Sequence, residues 1–384
     1  MRYLPTWIIA IAIGSGMSMQ AAEILGQDGQ AEELVELLGS PRFSERKKAM
    51  DRLLQLGPAA LGPLEAAARS TNREVRYRSQ RLLESVRELE FERQLQAFIQ
   101  SSLDPATPLP GWGRFSDIYG DEGDAKQLFV AMQRAEPAIM RSMEGKATGI
   151  ARLIDRRVQS FQQARRFQGG DITLGTILAL IFAGQDPDTM LSEPTIKTIF
   201  GLCGYQAFQG EMYRAGANKL RYVRHDPRSD LLRRIFADWM KRPDAYHHYQ
   251  GFQLALFYDI PASVPAAVTA IQKADASPYV KQYALQVIAE YGKNDRIPVV
   301  SKLLSDHTFC AAAQRINDKQ YRTQIRDVAL VCLLAIEKLD PREFGFPRFL
   351  LRNRVVQLSS IGFENDEARD MAHAKWRAYR DEQK

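Results

Sequence analysis

The sequence predicts an all-α fold built of stacked helical hairpins, an α-solenoid, and three observations predict it. The first is "IRDVALVCLLAIEKLDPREFGF" (325–346), where Ile325, Val328, Ala329, Cys332, Leu333 and Ile336 fall at i, i+3, i+4, i+7, i+8 and i+11. That is the spacing of one apolar stripe on a 3.6-residue helix. The second is self-similarity at an offset of 29, with Glu45, Arg52, Leu53 and Leu54 matching Glu74, Arg81, Leu82 and Leu83. The third is a looser match at an offset of 45, pairing Val280, Lys281, Ala284 and Leu285 with Ile325, Arg326, Ala329 and Leu330. Fixed internal offsets of this size mark stacked supersecondary units.

At the N-terminus, Arg2 precedes an apolar run from Trp7 to about Met17, and small residues follow at Ala21 and Ala22. This is the layout of a secretory signal peptide. The run is shorter than the roughly 20 apolar residues that span a bilayer. Gln20 makes the cleavage context imperfect, and no cysteine follows to mark a lipoprotein. The expectation is removal of residues 1–22 and a periplasmic or secreted mature chain, the alternative being a buried or membrane-tethering N-terminal helix.

Residues 23–103 then read as N-terminal repeats. A first helix stops at Leu56-Gly57-Pro58, "AALGPLEAAAR" forms a short second helix, and Ser70-Thr71-Asn72 stops it. Residues 74–101 read as one long helix, with Val75, Ser79, Leu82, Val86 and Leu89 inward and Leu95 and Phe98 continuing near that face. "DPATPLPGWGRF" (104–115) is rich in proline and glycine and marks a boundary. A less regular helical middle region is expected over 104–225, with "GDAKQLFVAMQRAEP" and "GIARLIDRRVQSFQQARRF" amphipathic and "ITLGTILALIFAG" (172–184) a fully buried core helix. Repeats resume over 226–384. There a first helix at about 294–305 and a second from 325 are separated by "DHTFCAAAQRINDKQYRT" (306–323), whose helical periodicity is poor. Insertions of this kind fall on one face of an array, often the binding face. Asp340-Pro341 is expected to end the helix that begins at 325. The closing "NDEARDMAHAKWRAYRDEQK" reads as a capping helix with Ala368, Met371, Ala372 and Trp376 inward.

"NREVRYRSQRLLESV", "SPYVKQYALQVIAEYG" and "IRDVALVCLLAI" resemble the second helices of HEAT-type repeats. Each has an aliphatic residue followed by a basic one, and a small residue four positions after the aliphatic one, usually Ala and in the first copy Ser79. Across most of its length the chain resembles exported bacterial HEAT-like repeat proteins of an uncharacterised family, through "LGPAALGPLEAAAR", "LPGWGRFSDIYGDEGDAKQLFVAMQRAEP", "ITLGTILALIFAGQDP", "IRDVALVCLLAIEKLDPREFGF" and "ARDMAHAKWRAYRDEQ". The resemblance implies fold and export, not a mechanism. It also implies that Arg76, Lys281 and Arg326 pair with acidic residues of neighbouring units, Glu74 and Asp327 being acidic members.

A hydrophobic fraction of 45% and a charged fraction of 26% exclude global disorder. The net charge of +6 comes from 52 basic against 46 acidic residues, an excess too thin to argue for a polyanion by itself. Cys203, Cys310 and Cys332 leave an odd thiol whatever pairs. Cys310 and Cys332 could bridge, but Cys332 sits on the apolar stripe, where a free cysteine acts as a small hydrophobe.

Chemistry-bearing motifs are sparse. No phosphate-cradling glycine loop, G-x-S-x-G elbow or H-E-x-x-H helix occurs. His247 and His248 are adjacent, so on a helix they point about 100 degrees apart and cannot readily share one metal ion. Asp121, Glu122 and Asp124 could offer oxygens to calcium, but Asp124 is better placed to cap a helix beginning at Ala125. The basic residues Arg214, Lys219, Arg221, Arg224, Arg228, Arg233 and Arg234, interleaved with Tyr213 and Tyr222, have the composition of a polyanion site. Asp226, Asp230 and Asp238 are mixed among them. The functional expectation is a non-enzymatic exported scaffold, without metal or cofactor, that binds a protein or extended peptide in its groove through the inner helices and the inserted loop around Cys310. The alternative is an anionic envelope polymer bound through Arg214–Arg234. Nucleic acid is not expected as a partner, nor a membrane span after signal cleavage. A third possibility is an enzyme built from scattered carboxylates of the middle region.

Overall fold

A computed structural model describes residues 29–101, 108–164, 172–215, 221–244, 248–352 and 354–383. The expected signal peptide, Lys219 and His247 lie outside them. The fold is mostly helical, and no helix of the described residues is long and apolar enough to cross a membrane. The chain divides into two compact units, Met1–Thr107 and Pro108–Lys384, with the division inside the proline-rich stretch.

The first unit contains α1 (29–37), α2 (Phe43–Leu56), α3 (Leu61–Ala67) and α4 (Arg73–Ile99). Gly57 at φ +56 turns the chain after α2, and Asn72 starts α4 by accepting from the backbone N–H groups of Glu74 and Val75. Leu38, Leu53, Leu64, Leu82 and Val86 meet in one apolar core. Leu89, expected inward, is 55% exposed. The reason is rotational: a strict seven-residue pattern drifts by about 20 degrees per heptad on a straight helix, and Leu89 lies two heptads beyond Val75. Glu74 pairs with Arg78 of its own helix, and Arg76 donates to the Ser70 carbonyl at 2.7 Å, so neither makes the cross-unit ion pair that was expected.

The second unit begins with α5 (Trp112–Tyr119), α6 (Gly123–Ala135), α7 (Pro137–Arg141), α8 (Ala147–Ala164), α9 (Leu174–Gly184), α10 (Glu193–Cys203) and α11 (Gln206–Met212). Every residue of α9 from Gly175 to Gly184 is buried, because α6, α7, α8 and α10 pack around it. Asp124 does not cap: α6 starts two residues earlier with Glu122 at its cap position, leaving Asp124 in the first turn, where the helix dipole favours a carboxylate. A short antiparallel pair, β1 (Tyr213–Ala215) and β2 (Arg221–Val223), leads into α12 (Pro227–Trp239), which packs on α9, so the chain on the two sides of residue 225 packs together.

The remaining elements are α13 (Tyr249–Phe257), α14 (Val264–Gln272), α15 (Pro278–Tyr291), α16 (Ile297–Ser301), the hairpin β3 (Gln314–Ile316) with β4 (Lys319–Tyr321), α17 (Ile325–Ile336), the hairpin β5 (Leu351–Arg352) with β6 (Val355–Val356), and α18 (Asp366–Glu382). Helix α15 packs against α13, α14 and α17. The insertion at 306–323 is therefore a β-hairpin, its turn made by Asn317 and Asp318 at φ +49 and +65, as a two-residue type I′ turn requires.

Helix α17 is buried on all sides but Ala335, rather than along one stripe, since α15 and α16 cover part of it and α18 another part. It also ends before Asp340-Pro341. Lys338 at φ +59 donates to Ala335 O, and Leu339 donates to Leu334 O at 2.9 Å, which is a Schellman termination. Lys338→Gly is expected to stabilise the chain by about 0.5–1 kcal/mol, because left-handed strain of roughly 1–2 kcal/mol exceeds the entropic cost of glycine, roughly 0.5–1 kcal/mol. A urea melt showing no gain would contradict this.

In α18, Arg369 and His373 turn inward beside Ala372 and Trp376, whereas Met371, expected inward, is 59% exposed and Ala368 is half-buried. The cause is Asp327, fully buried on α17, whose Oδ1 accepts from Arg369 Nε at 2.8 Å. All three cysteines are free and buried, so no Cys310–Cys332 bridge forms. Burial pushes the Cys310 thiol up to about 12.

Candidate functional site

Helices α13 and α15 lie side by side and run in the same direction. At their N-terminal ends Tyr249 stacks on Tyr283, with centroids 5.6 Å apart and planes 17° from parallel, and Tyr279 lies 6.3 Å away. At their C-terminal ends Arg354 joins them, pairing with Asp259 just after α13 and approaching Glu290 of α15 to 3.7 Å and the Tyr291 hydroxyl to 3.4 Å. Arg354 and Asp259 both hold left-handed backbone, at φ +64 and +57. Burial pushes the Glu290 carboxyl above its ordinary range; Arg354 opposes that shift and Asp259 adds to it.

Between the tyrosines and this ion cluster, the β5–β6 hairpin covers part of the two helices and leaves a cleft of about 360 Å³. Phe257, Tyr283 and Val356 supply its apolar wall, and Gln253, Gln286 and Arg352 its polar one. Gln286 is buried, and its Oε1 accepts from the Val356 N–H at 2.7 Å, which seats the hairpin on α15. Gln357 donates to the Val355 carbonyl at 3.2 Å. The Arg352 guanidinium, the Gln253 amide and the Tyr283 hydroxyl have no hydrogen-bond partner among the described residues. Burial, and next to it Tyr249, raises the Tyr283 phenol, which stays neutral and able to donate. The site thus combines flat rings with uncommitted donors, a composition suited to holding a ligand and orienting it.

The arginines singled out from the sequence stand elsewhere. Arg214 and Arg221 fall on β1 and β2, with side chains outside the description. Arg224 pairs with Asp226 at 2.8 Å, and Arg228 with Glu211 at 2.9 Å and, more distantly, Asp124 at 4.0 Å. Arg233 is buried, bonding Asp230 at 2.6 Å and the Tyr258 carbonyl at 2.7 Å. Arg234 donates to the Ile118 carbonyl and lies over the Tyr119 ring at 5.8 Å. The interleaved aspartates thus take up much of this charge.

Cys310 sits under its loop with its thiol on the Thr323 carbonyl, while neighbouring Phe309 is exposed beneath Arg322. Among the described residues no group of three His, Cys, Asp or Glu side chains is placed to hold a metal ion. A second hollow of the same unit, about 290 Å³, has its cations already matched: Arg114 to Asp186, Lys241 to Asp238 and Arg242 to Asp244. A depression of about 510 Å³ in the first unit offers two glutamates and small apolar side chains, without aromatic rings.

Sequence reasoning missed the cleft. Its one available signal is a second stripe beside the apolar one: Tyr249, Gln253 and Phe257 at i, i+4 and i+8, and Tyr279, Tyr283, Gln286 and Glu290 at i, i+4, i+7 and i+11. Nothing local marks Arg352. Compared with known proteins, the chain matches no family model and no curated protein.

Proposed function

We propose that the protein is an exported, non-enzymatic scaffold whose HEAT-like hairpins stack as an α-solenoid and bind a partner protein through an extended segment lying in the α13–α15 cleft. The observation that carries this reading is the cleft itself, with stacked tyrosines at one end, and beside them Arg352 and the Gln253 amide, both without a hydrogen-bond partner among the described residues. Parallel neighbours such as α13 and α15 are what successive second helices of stacked hairpins give. Export rests on the N-terminal pattern, and the locale is the periplasm or the medium. The anionic-polymer alternative loses ground because Arg224, Arg228 and Arg233 are already matched by carboxylates.

The test is affinity capture from a native envelope extract by residues 23–384, washed at low and at high salt. It is run beside a chain carrying Tyr279→Ala and Arg352→Gln, both exposed side chains. A discrete protein held by the parent chain at both salt concentrations and lost from the double variant is expected. Retention that the variant leaves unchanged, or capture only of polymer released at high salt, would overturn the reading.

A further inference from the structure

The geometry points to a proline-rich segment in the left-handed polyproline conformation, with an acidic residue near its Arg352 end, as the occupant of the α13–α15 cleft; this rests on the reading of that cleft as a peptide site. Three features of the cleft converge on it.

The first is the balance of donors and acceptors. An ordinary extended strand brings N–H groups that need acceptors, and the nearest oxygens already accept one bond each. Gln286 Oε1 is taken by the Val356 N–H, the Val355 carbonyl by the Gln357 amide, and the Leu350 carbonyl by the Gln357 N–H. What remains uncommitted includes Arg352, which can only donate, together with the Gln253 amide and the Tyr283 hydroxyl, which donate as well as accept, so donors outnumber acceptors. A polyproline helix makes no internal hydrogen bonds and, where it is proline, carries no N–H, so it presents carbonyl acceptors almost alone.

The second is the aromatic surface. Tyr249 and Tyr283 stack nearly parallel, and Tyr279, 57% exposed, extends the row. Flat rings separated by grooves are what proline-rich segments dock on, and the preformed helix loses little entropy on binding. The spacing agrees as well. Tyr279 and Gln286 are seven positions apart on α15, about 10 Å along its axis, and one three-residue turn of polyproline helix rises about 9 Å.

The third is charge. Arg352 is unpaired among the described residues and no carboxylate lines the cleft, so a neutral or acidic segment is favoured over a basic one.

The experiment titrates residues 23–384 with fluorescein-labelled probes followed by anisotropy: decaproline, decaproline with one Glu near an end, a Gly-Ser decamer and a maltohexaose. Decaproline is expected to bind about tenfold or more tightly than the Gly-Ser peptide, and Tyr279→Ala to weaken it by about tenfold, the effect of losing one ring contact. Arg352→Gln should abolish the preference for the Glu-bearing probe. Both replaced side chains are exposed, and unchanged melting of the variants by circular dichroism shows that folding is not the cause. Equal binding of the two peptide types overturns the polyproline assignment. Binding of the saccharide alone, or of no probe, overturns it too. Adding decaproline to the envelope capture separates the two levels. A partner held through the cleft but not displaced by decaproline defeats this inference and leaves the peptide-binding scaffold standing, whereas a partner indifferent to the cleft variants defeats both.

Discussion

Asp327→Ala is expected to destabilise the chain by about 3–5 kcal/mol, the usual cost of breaking a buried ion pair from one side. Asp327 is 0% exposed and Arg369 3%. Oδ1 of the aspartate accepts from Arg369 Nε at 2.8 Å, and Oδ2 accepts from the Gln324 N–H at 2.8 Å. Truncation removes the start of α17 and takes from Arg369 its buried carboxylate, leaving the guanidinium only the exposed Asp366 and the Arg322 carbonyl. For a unit of this size the loss lowers the melting midpoint by roughly 10 °C. Replacing Asp327 and Arg369 together by leucine should recover much of it, because two apolar side chains carry no desolvation cost. A single variant melting within about 2 °C of the parent would mean that the pair contributes little, as exposed pairs do.

The same locus has a pH signature. Burial pushes the Asp327 carboxyl up from 3.8 to about 6 against the opposing pull of Arg369. The folded chain therefore holds a proton that the unfolded chain releases, and stability from this group falls as pH rises from about 4 to about 6. Burial, reinforced by Arg326, Arg377 and Arg369 and opposed by Asp370, pushes His373 down from 6.5 to about 4. Here the folded chain lacks a proton that the unfolded chain keeps, so stability rises with pH across about 4 to 6.5. The two slopes oppose each other. Urea melts between pH 4 and 7 should show stability rising with pH in Asp327→Asn and falling in His373→Asn. Identical slopes in both variants would refute the assignment.

Gly175→Ala is expected to cost about 3 kcal/mol, at the upper end of what overpacking does. A Cβ at Gly175 would lie 2.1 Å from the Ala131 carbonyl oxygen and 3.0 Å from Ala135 Cβ, so α9 and α6 must separate, and backbone cannot rotate away as a side chain can. Gly201→Ala on α10 is the control. It meets nothing within 4 Å, and it should stabilise its helix by up to about 1 kcal/mol, the propensity difference between glycine and alanine. Thermal melts of the two variants moving the same way would refute the packing argument. The test also bears on the buried helix, whose apolar run is visible in the sequence while its need for glycine at that one position is not.

Legibility follows the range of the interaction. Helix stops set by the nearest residues are readable, as with Leu56-Gly57-Pro58 after α2 and Ser70-Thr71-Asn72 after α3. Where a local rule had a competitor, the competitor won: Lys338 ended α17 ahead of Asp340-Pro341, and Glu122 displaced Asp124 at the start of α6. Spacing alone places Leu89 and Met371 inward, yet both are exposed. Spacing names a face but not which part of it another element covers, nor that Asp327 would draw Arg369 in instead.

The sequence by itself determined the helical character of this chain, the buried helix at 174–184 and the position of the insertion at 306–323. Each depends on residues three or four apart, or on a turn of a few residues, and such periods are written locally. Only the tertiary structure decided which charges are buried, which arginines are matched by carboxylates, and that Tyr283, Gln286 and Arg352 line one cleft. Those outcomes turn on elements 40 to 70 residues apart in sequence being brought to hydrogen-bonding distance, as Arg369 is to Asp327 and Val356 to Gln286. A burial or a pairing is a property of both partners, and neither one's own sequence neighbourhood contains the other.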